Sequence, residues 1–240
     1  MEKYNTIPSP KDDRDWVIES LPKINILLPE TVDHTSYLQP IRNQEKESSC
    51  AAHVASCIKE WQEYLDIGFY NYMSPQFIYN LRENQNCKEM HGRDVMKILL
   101  KKGCCYEITY PNINIEPPEN IGIDALVQAH KFRIKGYAQI KTIHGLKMAL
   151  ALNGPCYISF PVYNNTDFMW KSNNNQKSKG GHALTVVGYN NIGFKLRNSW
   201  GENWGIDGYC LYPYSDWGSH WEIWTVMDEN SFYYNNTMEV

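Results

Sequence analysis

Cys50, His182 and Asn198 have types and spacings that can act together. Cys50 closes the run Gln44-Glu45-Lys46-Glu47-Ser48-Ser49-Cys50, His182 follows Lys179-Gly180-Gly181, and Asn198 opens Asn198-Ser199-Trp200-Gly201. His182 lies 182 − 50 = 132 residues after Cys50, and Asn198 lies 198 − 50 = 148 after it. A free thiol with a pKa of about 8.5 is mostly protonated at neutral pH, so a cysteine nucleophile needs a neighbourhood that favours its thiolate. An imidazole supplies such a neighbourhood and can also carry the proton.

The element that opens at Cys50 supplies more. After Cys50 the apolar residues Ala51, Val54, Ala55, Ile58, Trp61 and Leu65 recur at steps of three and four, and Gly68 follows as a stop. That periodicity predicts a helix beginning at Cys50, with Ser48 or Ser49 as its cap. A helix N-terminus carries partial positive charge and stabilises a thiolate. Further helices are predicted at Met73–Asn84, with Ser74 as cap and Pro75 at the first position, at Gly92–Gly103, and at Gly122–Phe132. From Phe132 onward the signal turns to strands. The segments Pro155–Tyr163, His182–Asn190, Gly193–Trp200 and Gly208–Tyr214 are rich in β-branched and aromatic residues and break at Gly or Asn. The polar stretch Tyr163–Gly181 reads as a long loop that delivers the chain to His182. Helices in the first half and strands in the second predict an α+β protein with two segregated lobes.

Composition excludes several classes. The chain has 240 residues, 42% hydrophobic and 21% charged, the balance of a folded protein with a sizeable core. A net charge of −4 argues against nucleic acid as the main partner. No run approaches the roughly 20 apolar residues that cross a bilayer, so no membrane partner is expected. No apolar stretch reads as a signal peptide either, and a cytoplasmic or particle-packaged chain is the expectation. Seven cysteines in 240 residues are too sparse for a disulfide scaffold.

The motifs resemble the papain family of cysteine peptidases along nearly the whole chain. Pro40–Cys50 resembles the family's active-site loop, Gly180–Asn190 the segment of its catalytic histidine, and Lys195–Tyr209 that of its catalytic asparagine. The eleven residues from Asn198 to Gly208 follow the family pattern most closely. The 132- and 148-residue separations are also the family's, so they belong to the resemblance and are no independent derivation. The resemblance implies a helical lobe (about residues 38–125) built on the helix from Cys50, a twisted antiparallel, barrel-like β lobe (about 126–230), and a cleft between them. It implies amide hydrolysis through an acyl-thioester on Cys50 with a peptide or protein substrate and no cofactor or metal. Within it His182 is the acid and base, Asn198 orients the ring, Trp200 covers their hydrogen bond, and Gln44 donates to the oxyanion.

The chain departs from the family pattern in the loop. Glu47 stands where the family has a disulfide-bonded cysteine, Glu45 and Ser48 where it has glycine, and Ala51 where it has tryptophan. The Ser-Cys-Ala start, with its Leu-Pro-Glu-Thr-Val-Asp lead-in from Leu28, resembles a bacterial and viral-type branch without that disulfide. Two alternatives keep the fold: an acyl-transfer enzyme, in which an amine resolves the thioester, and a catalytically inactive binding or structural protein. The intact set of Gln44, Cys50, His182 and Asn198 argues against the second.

Two features lie outside this pattern. Cys50, His53 and Cys57 share one helix face at i, i+3 and i+7, but no complementary ligand pair appears elsewhere, so the face is read as helix packing rather than zinc. Residues 1–27 are rich in Pro and charge. They read as an extended arm or short pro-segment preceding a peptidase domain at 28–240, either a strand lying over the cleft with Trp16 as its expected anchor or a segment that wraps and stabilises the β lobe.

Overall fold

The computed structural model of the chain describes residues 4, 6–20, 27–112, 115–173 and 176–228. The expected arm and domain ranges extend to residues 1–3, 5, 21–26 and 229–240, which lie outside the described residues. In chain order the elements are β1 (Thr6–Ile7), β2 (Val32–Asp33), α1 (Cys50–Ile67), α2 (Pro75–Asn80), β3 (Met90–His91), α3 (Gly92–Lys101), α4 (Ile123–Lys131), β4 (Gly136–Gln139), α5 (Ile143–Asn153), β5 (Cys156–Val162), β6 (Gly180–Tyr189), β7 (Gly193–Arg197), β8 (Tyr209–Pro213) and β9 (Glu222–Met227).

The helix at Cys50 forms as the periodicity predicts and ends at Gly68 in the left-handed conformation. Its buried stripe of Cys50, Ala51, Ala52, Val54, Ala55 and Ile58 is mostly small, which lets α1 lie close against β6. Ser49 holds the cap position without a side-chain bond, and its backbone carbonyl accepts from the His53 N–H at 2.9 Å. Ser74 does cap α2, accepting from the Phe77 N–H at 3.0 Å, with Pro75 in the first turn. Helices α1 to α4 enclose the first core, which includes Phe77, Ile78, Leu99, Ala125 and Ala129.

The second lobe is a seven-stranded sheet of order β4-β9-β5-β6-β7-β8, with β2 added along β6. Its pairings are antiparallel, and β6 runs against β5 from Cys156↔Val186 to Val162↔Gly180. A register shift between Val186 and Gly188 bends β6 where it meets β7. Phe160, Val162, Leu184, Phe194, Leu196 and Tyr212 fill the core behind this sheet, and α5 covers one flank through Leu146, Ala149 and Leu150. Helices on one side and an antiparallel sheet on the other make this the expected α+β, two-lobe arrangement. Strand β9 and helix α5 are further elements, the helix capped by the Thr142 hydroxyl, which accepts from the Gly145 N–H at 2.9 Å.

One ionic cluster ties the lobes. Lys59 of α1, wholly buried, bonds Glu63 at 2.8 Å and Asp228, just after β9, at 2.6 Å. All seven cysteines are thiols. Burial pushes Cys105 and Cys156 up to about 12 and Cys57 up to about 11, so these three are inert packing groups at neutral pH.

Candidate active site

Each expected site residue is held by a different element. Cys50 is the first residue of α1, fully buried at the positive end of the helix dipole. His182 lies near the start of β6, paired across the ladder with Phe160. Its neighbour Ala183 packs in the same core as Cys50. Asn198 follows β7, where its N–H donates to the Gly208 carbonyl at 3.0 Å. The turn after it needs Gly205, at φ +61°, because a Cβ there would lie 2.3 Å from the Tyr209 carbonyl oxygen.

Hydrogen bonding fixes the roles of the atoms in this group. Asn198 Oδ1 accepts from the Ser199 backbone N–H at 2.8 Å, and a backbone N–H can only donate. The same oxygen lies 2.7 Å from His182 Nε2, so Nε2 must carry the proton of that bond. This leaves Nδ1 as the nitrogen through which the ring can exchange a proton. Trp200 stacks on the His182 ring at 4.3 Å between centroids, with 30° between planes, and shields the bond from water. His182 is fully buried and Asn198 nearly so.

Gln44 joins this group from the loop before α1. Its N–H donates to the Ser199 carbonyl at 2.8 Å, Gly201 N–H donates to Arg42 at 2.9 Å, and Asn43 bridges Trp200. The Gln44 side chain is pinned at both ends. Oε1 accepts from the Ser199 hydroxyl at 2.6 Å, and Nε2 donates to the Glu47 carbonyl at 2.7 Å. One of its two amide protons remains for another acceptor. Glu45, where the family has glycine, sits at φ +51°, a conformation that costs a residue with a Cβ on the order of 1 kcal/mol.

The arm crosses this site. Thr6 is fully buried, with Oγ1 2.9 Å from both the Met90 carbonyl and the Tyr157 hydroxyl. The Thr6 carbonyl approaches so closely that a Cβ on Gly181, the residue before His182, would lie 2.2 Å from it. Tyr4 meets Trp200 edge-on at 5.7 Å and His182 at 6.5 Å, and its hydroxyl bonds Asn165 Oδ1. Further on, Arg93 Nε donates to Asp15 at 2.8 Å, and Ile18 is buried in the β-lobe core. Glu19 accepts from the Thr142 N–H at 2.8 Å, at the head of α5. The expected anchor was wrong: Trp16 is 64% exposed, and Thr6 and Ile18 are the buried residues.

Beside Trp200 runs a groove of about 820 Å³, lined by Tyr4, Lys46, Asn165, Asn203 and Trp204. Sequence reasoning passed over Ser199, Tyr157 and Thr6. Ser199 could have been found, since it lies inside the Asn198–Gly208 motif. Thr6 and Tyr157 are 151 residues apart and carry no local signal.

Comparison with known proteins agrees with this architecture. The chain superposes on xylellain, a cysteine protease from Xylella fastidiosa, with a TM-score of 0.80 at 26% identity, covering 95% of this chain and 96% of the other. It shares its fold with proCathepsin B S9 from Trypanosoma congolense, with a TM-score of 0.70 at 18% identity over 90% and 86% of the two chains. In sequence it is 29% identical to cathepsin K of Mus musculus over 201 residues, 77% of this chain and 59% of that protein. Cathepsin J of the same species is 28% identical over 78% of this chain and 60% of its own. The chain thus spans about 60% of the length of these curated relatives. The family model for papain family cysteine proteases matches residues 28–221, which takes in Gln44, Cys50, His182 and Asn198, and the chain belongs to that family.

Proposed function

We propose that the chain is a cysteine peptidase that hydrolyses peptide bonds through an acyl-thioester on Cys50. The observation that carries this reading is the buried His182–Asn198 bond of 2.7 Å, roofed by Trp200, in a chain whose Cys50 opens α1. The Cys50 thiolate attacks the substrate carbonyl carbon, and the carbonyl electrons move onto oxygen. The remaining amide proton of Gln44 and the Cys50 backbone N–H donate to that oxyanion. Collapse expels the amine, which takes its proton from His182 Nδ1. Water then enters, gives its proton to His182, attacks the thioester and releases the carboxylic acid, restoring the thiolate–imidazolium pair. Asn198 holds the ring through both half-reactions. Peptide or protein is the substrate, and the groove beside Trp200 has the volume for an extended chain.

In this reading the arm is an intramolecular cover, and the full chain is a zymogen-like form. Buried Thr6 and the Tyr4 ring occupy the space beside His182 that a substrate would need. The acyl-transfer alternative has no particular support, since no contact distinguishes an amine acceptor from water.

The test is hydrolysis of a fluorogenic peptide by the full chain and by Thr6→Arg, which opens the cover, and by Cys50→Ala, His182→Ala and the double change in each of those two backgrounds. Each single change should abolish turnover, with the double hardly worse, because nucleophile and base act as one unit. Substantial turnover by Cys50→Ala would overturn the mechanism.

A further inference from the structure

One turn below Cys50, His53 is buried on the face that the sequence marked out by its Cys50, His53 and Cys57 spacing. Between α1, β6 and the segment after β7 lies a polar pocket of roughly 20 Å³, lined by His53, Glu60, Thr185, Arg197, Asn198 and Arg42. Five buried polar atoms of its walls have no hydrogen-bond partner among the described residues: Asn198 Nδ2, both ring nitrogens of His53, Glu60 Oε2 and Arg42 Nε. A pocket needs about 10–15 Å³ to take one water, which requires two to four polar partners. This pocket has the size for one water and is too small for an organic ligand.

We propose that His53 is a positioning residue for the reaction: through a single water in this pocket it accepts the hydrogen bond that Asn198 Nδ2 donates, and so fixes the carboxamide whose Oδ1 holds His182. This rests on the proposed reading of Cys50, His182 and Asn198.

The donor pattern calls for an acceptor, and the unpartnered ones on the pocket wall are the His53 ring and Glu60 Oε2. Asn198 Nδ2, Arg42 and Arg197 can only donate, and a water that receives a proton from Asn198 needs somewhere to send its own. A neutral imidazole offers one acceptor nitrogen. Burial, with Arg42 and His182 nearby, pushes the His53 pKa down to about 3, so the ring is neutral wherever the enzyme would work. The charged and titratable groups around it are Arg42 before α1, Cys57 and Glu60 on α1, His182 on β6 and Arg197 at the end of β7. A neutral His53 adds no second positive charge beneath the His182 imidazolium. Fixing both ends of the Asn198 amide, Oδ1 by Ser199 and His182 and Nδ2 by the water, stops the amide from rotating its donor toward the ring.

The experiment compares His53→Phe, which removes the acceptor, with His53→Gln, which keeps one. In His53→Phe kcat should fall about 10–100-fold, the range seen when a second-layer partner of a reacting group is removed, with KM nearly unchanged. The pH profile for Cys50 alkylation by iodoacetamide should shift toward that of an ordinary thiol. His53→Gln should recover most of kcat and the wild-type profile. Wild-type kcat and alkylation in folded His53→Phe would overturn the proposal, as would a folded His53→Gln as impaired as His53→Phe. A high-resolution crystal structure of the wild-type chain decides the point even where a variant fails to fold. A water within hydrogen-bond distance of both Asn198 Nδ2 and a His53 ring nitrogen supports the proposal, and its lack there refutes it. That readout does not depend on turnover, so its failure is distinct from failure of the peptidase reading.

Discussion

Gln44 and Ser199 are joined twice across the interlobe boundary: backbone N–H to carbonyl at 2.8 Å, and hydroxyl to carboxamide oxygen at 2.6 Å. The second bond fixes which end of the Gln44 amide is the donor. If that donor meets the oxyanion, Gln44→Ala should lower kcat about 10²–10³-fold with little effect on folding. Ser199→Ala should cost less, because it loosens the donor without removing it. Circular dichroism confirms folding, and an unchanged kcat in folded Gln44→Ala would remove that residue from the site.

The arm offers a second test, since its two halves touch different things. Thr6 and Tyr4 lie at the site, while Ile18 and Glu19 brace the β lobe. Thr6→Arg, which cannot be accommodated in the buried position, should raise kcat/KM on a small peptide and speed alkylation of Cys50. Ile18→Ala should instead lower Tm, at a cost of about 2–5 kcal/mol for a buried Ile. If Thr6→Arg left both rates unchanged, the cover would be excluded and the arm would be a brace alone.

Stability should respond to pH in opposite senses through two buried groups. Glu60 bonds Arg42 at 3.2 Å, yet burial outweighs that attraction and that of Arg197, raising its pKa to about 7 from 4.5. Between those values the unfolded chain loses the proton and the folded chain keeps it. Stability therefore falls as pH rises through about 4.5 to 7, by roughly 1.4 kcal/mol per unit at most. His53 does the reverse: between 6.5 and about 3 only the unfolded histidine takes up a proton, so stability falls as pH drops. Glu60→Gln should flatten the first slope and His53→Gln the second. Tm against pH measures both, and curves parallel to wild type would contradict the burial argument.

Glu45 provides a local check on backbone strain. Its φ of +51° suits glycine, which the family has there, so Glu45→Gly should leave kcat unchanged and alter stability little, strain relief offsetting the added unfolded-state freedom. Glu45→Val should destabilise by about 1 kcal/mol or more, since a β-branched residue tolerates that region worst. Equal Tm values for the glycine and valine variants would show that the loop does not hold this conformation in solution.

Much of the molecule was legible in the chain itself. The α1 helix announced itself through apolar residues three and four apart, and β5 to β8 through β-branched and aromatic runs broken by Gly or Asn, because these signals are local. The site residues were legible because Cys50, His182 and Asn198 sit in motifs dense enough to identify the family. Ser49 holds the cap position of α1 as expected, but through its carbonyl and not its hydroxyl, since a serine before a helix shows only that a side-chain bond is available. Strand β9 was missed although Ile223, Trp224, Thr225 and Val226 are strand formers; it is a short run, and partners far along the chain fix it: Tyr157↔Trp224 and Ala138↔Thr225.

What the sequence determined by itself was the identity of the candidate reactive groups and the local elements that bear them, since residue type and short-range periodicity are properties of the chain. Only the tertiary structure decided how those groups are constrained. It set Ser199 on Gln44, Trp200 on His182, His53 and Asn198 on the walls of one pocket, and Thr6 against Tyr157. Contacts between residues so far apart, or on separate elements, are fixed by how the two lobes pack, and no local pattern encodes that packing. The same packing left Trp16 in solvent and buried Ile18: the arm meets the sheet edge at the Val17–Gln139 bridge and then leaves the extended course in a 3₁₀ turn at Ile18–Ser20, which seats Ile18 in the β-lobe core.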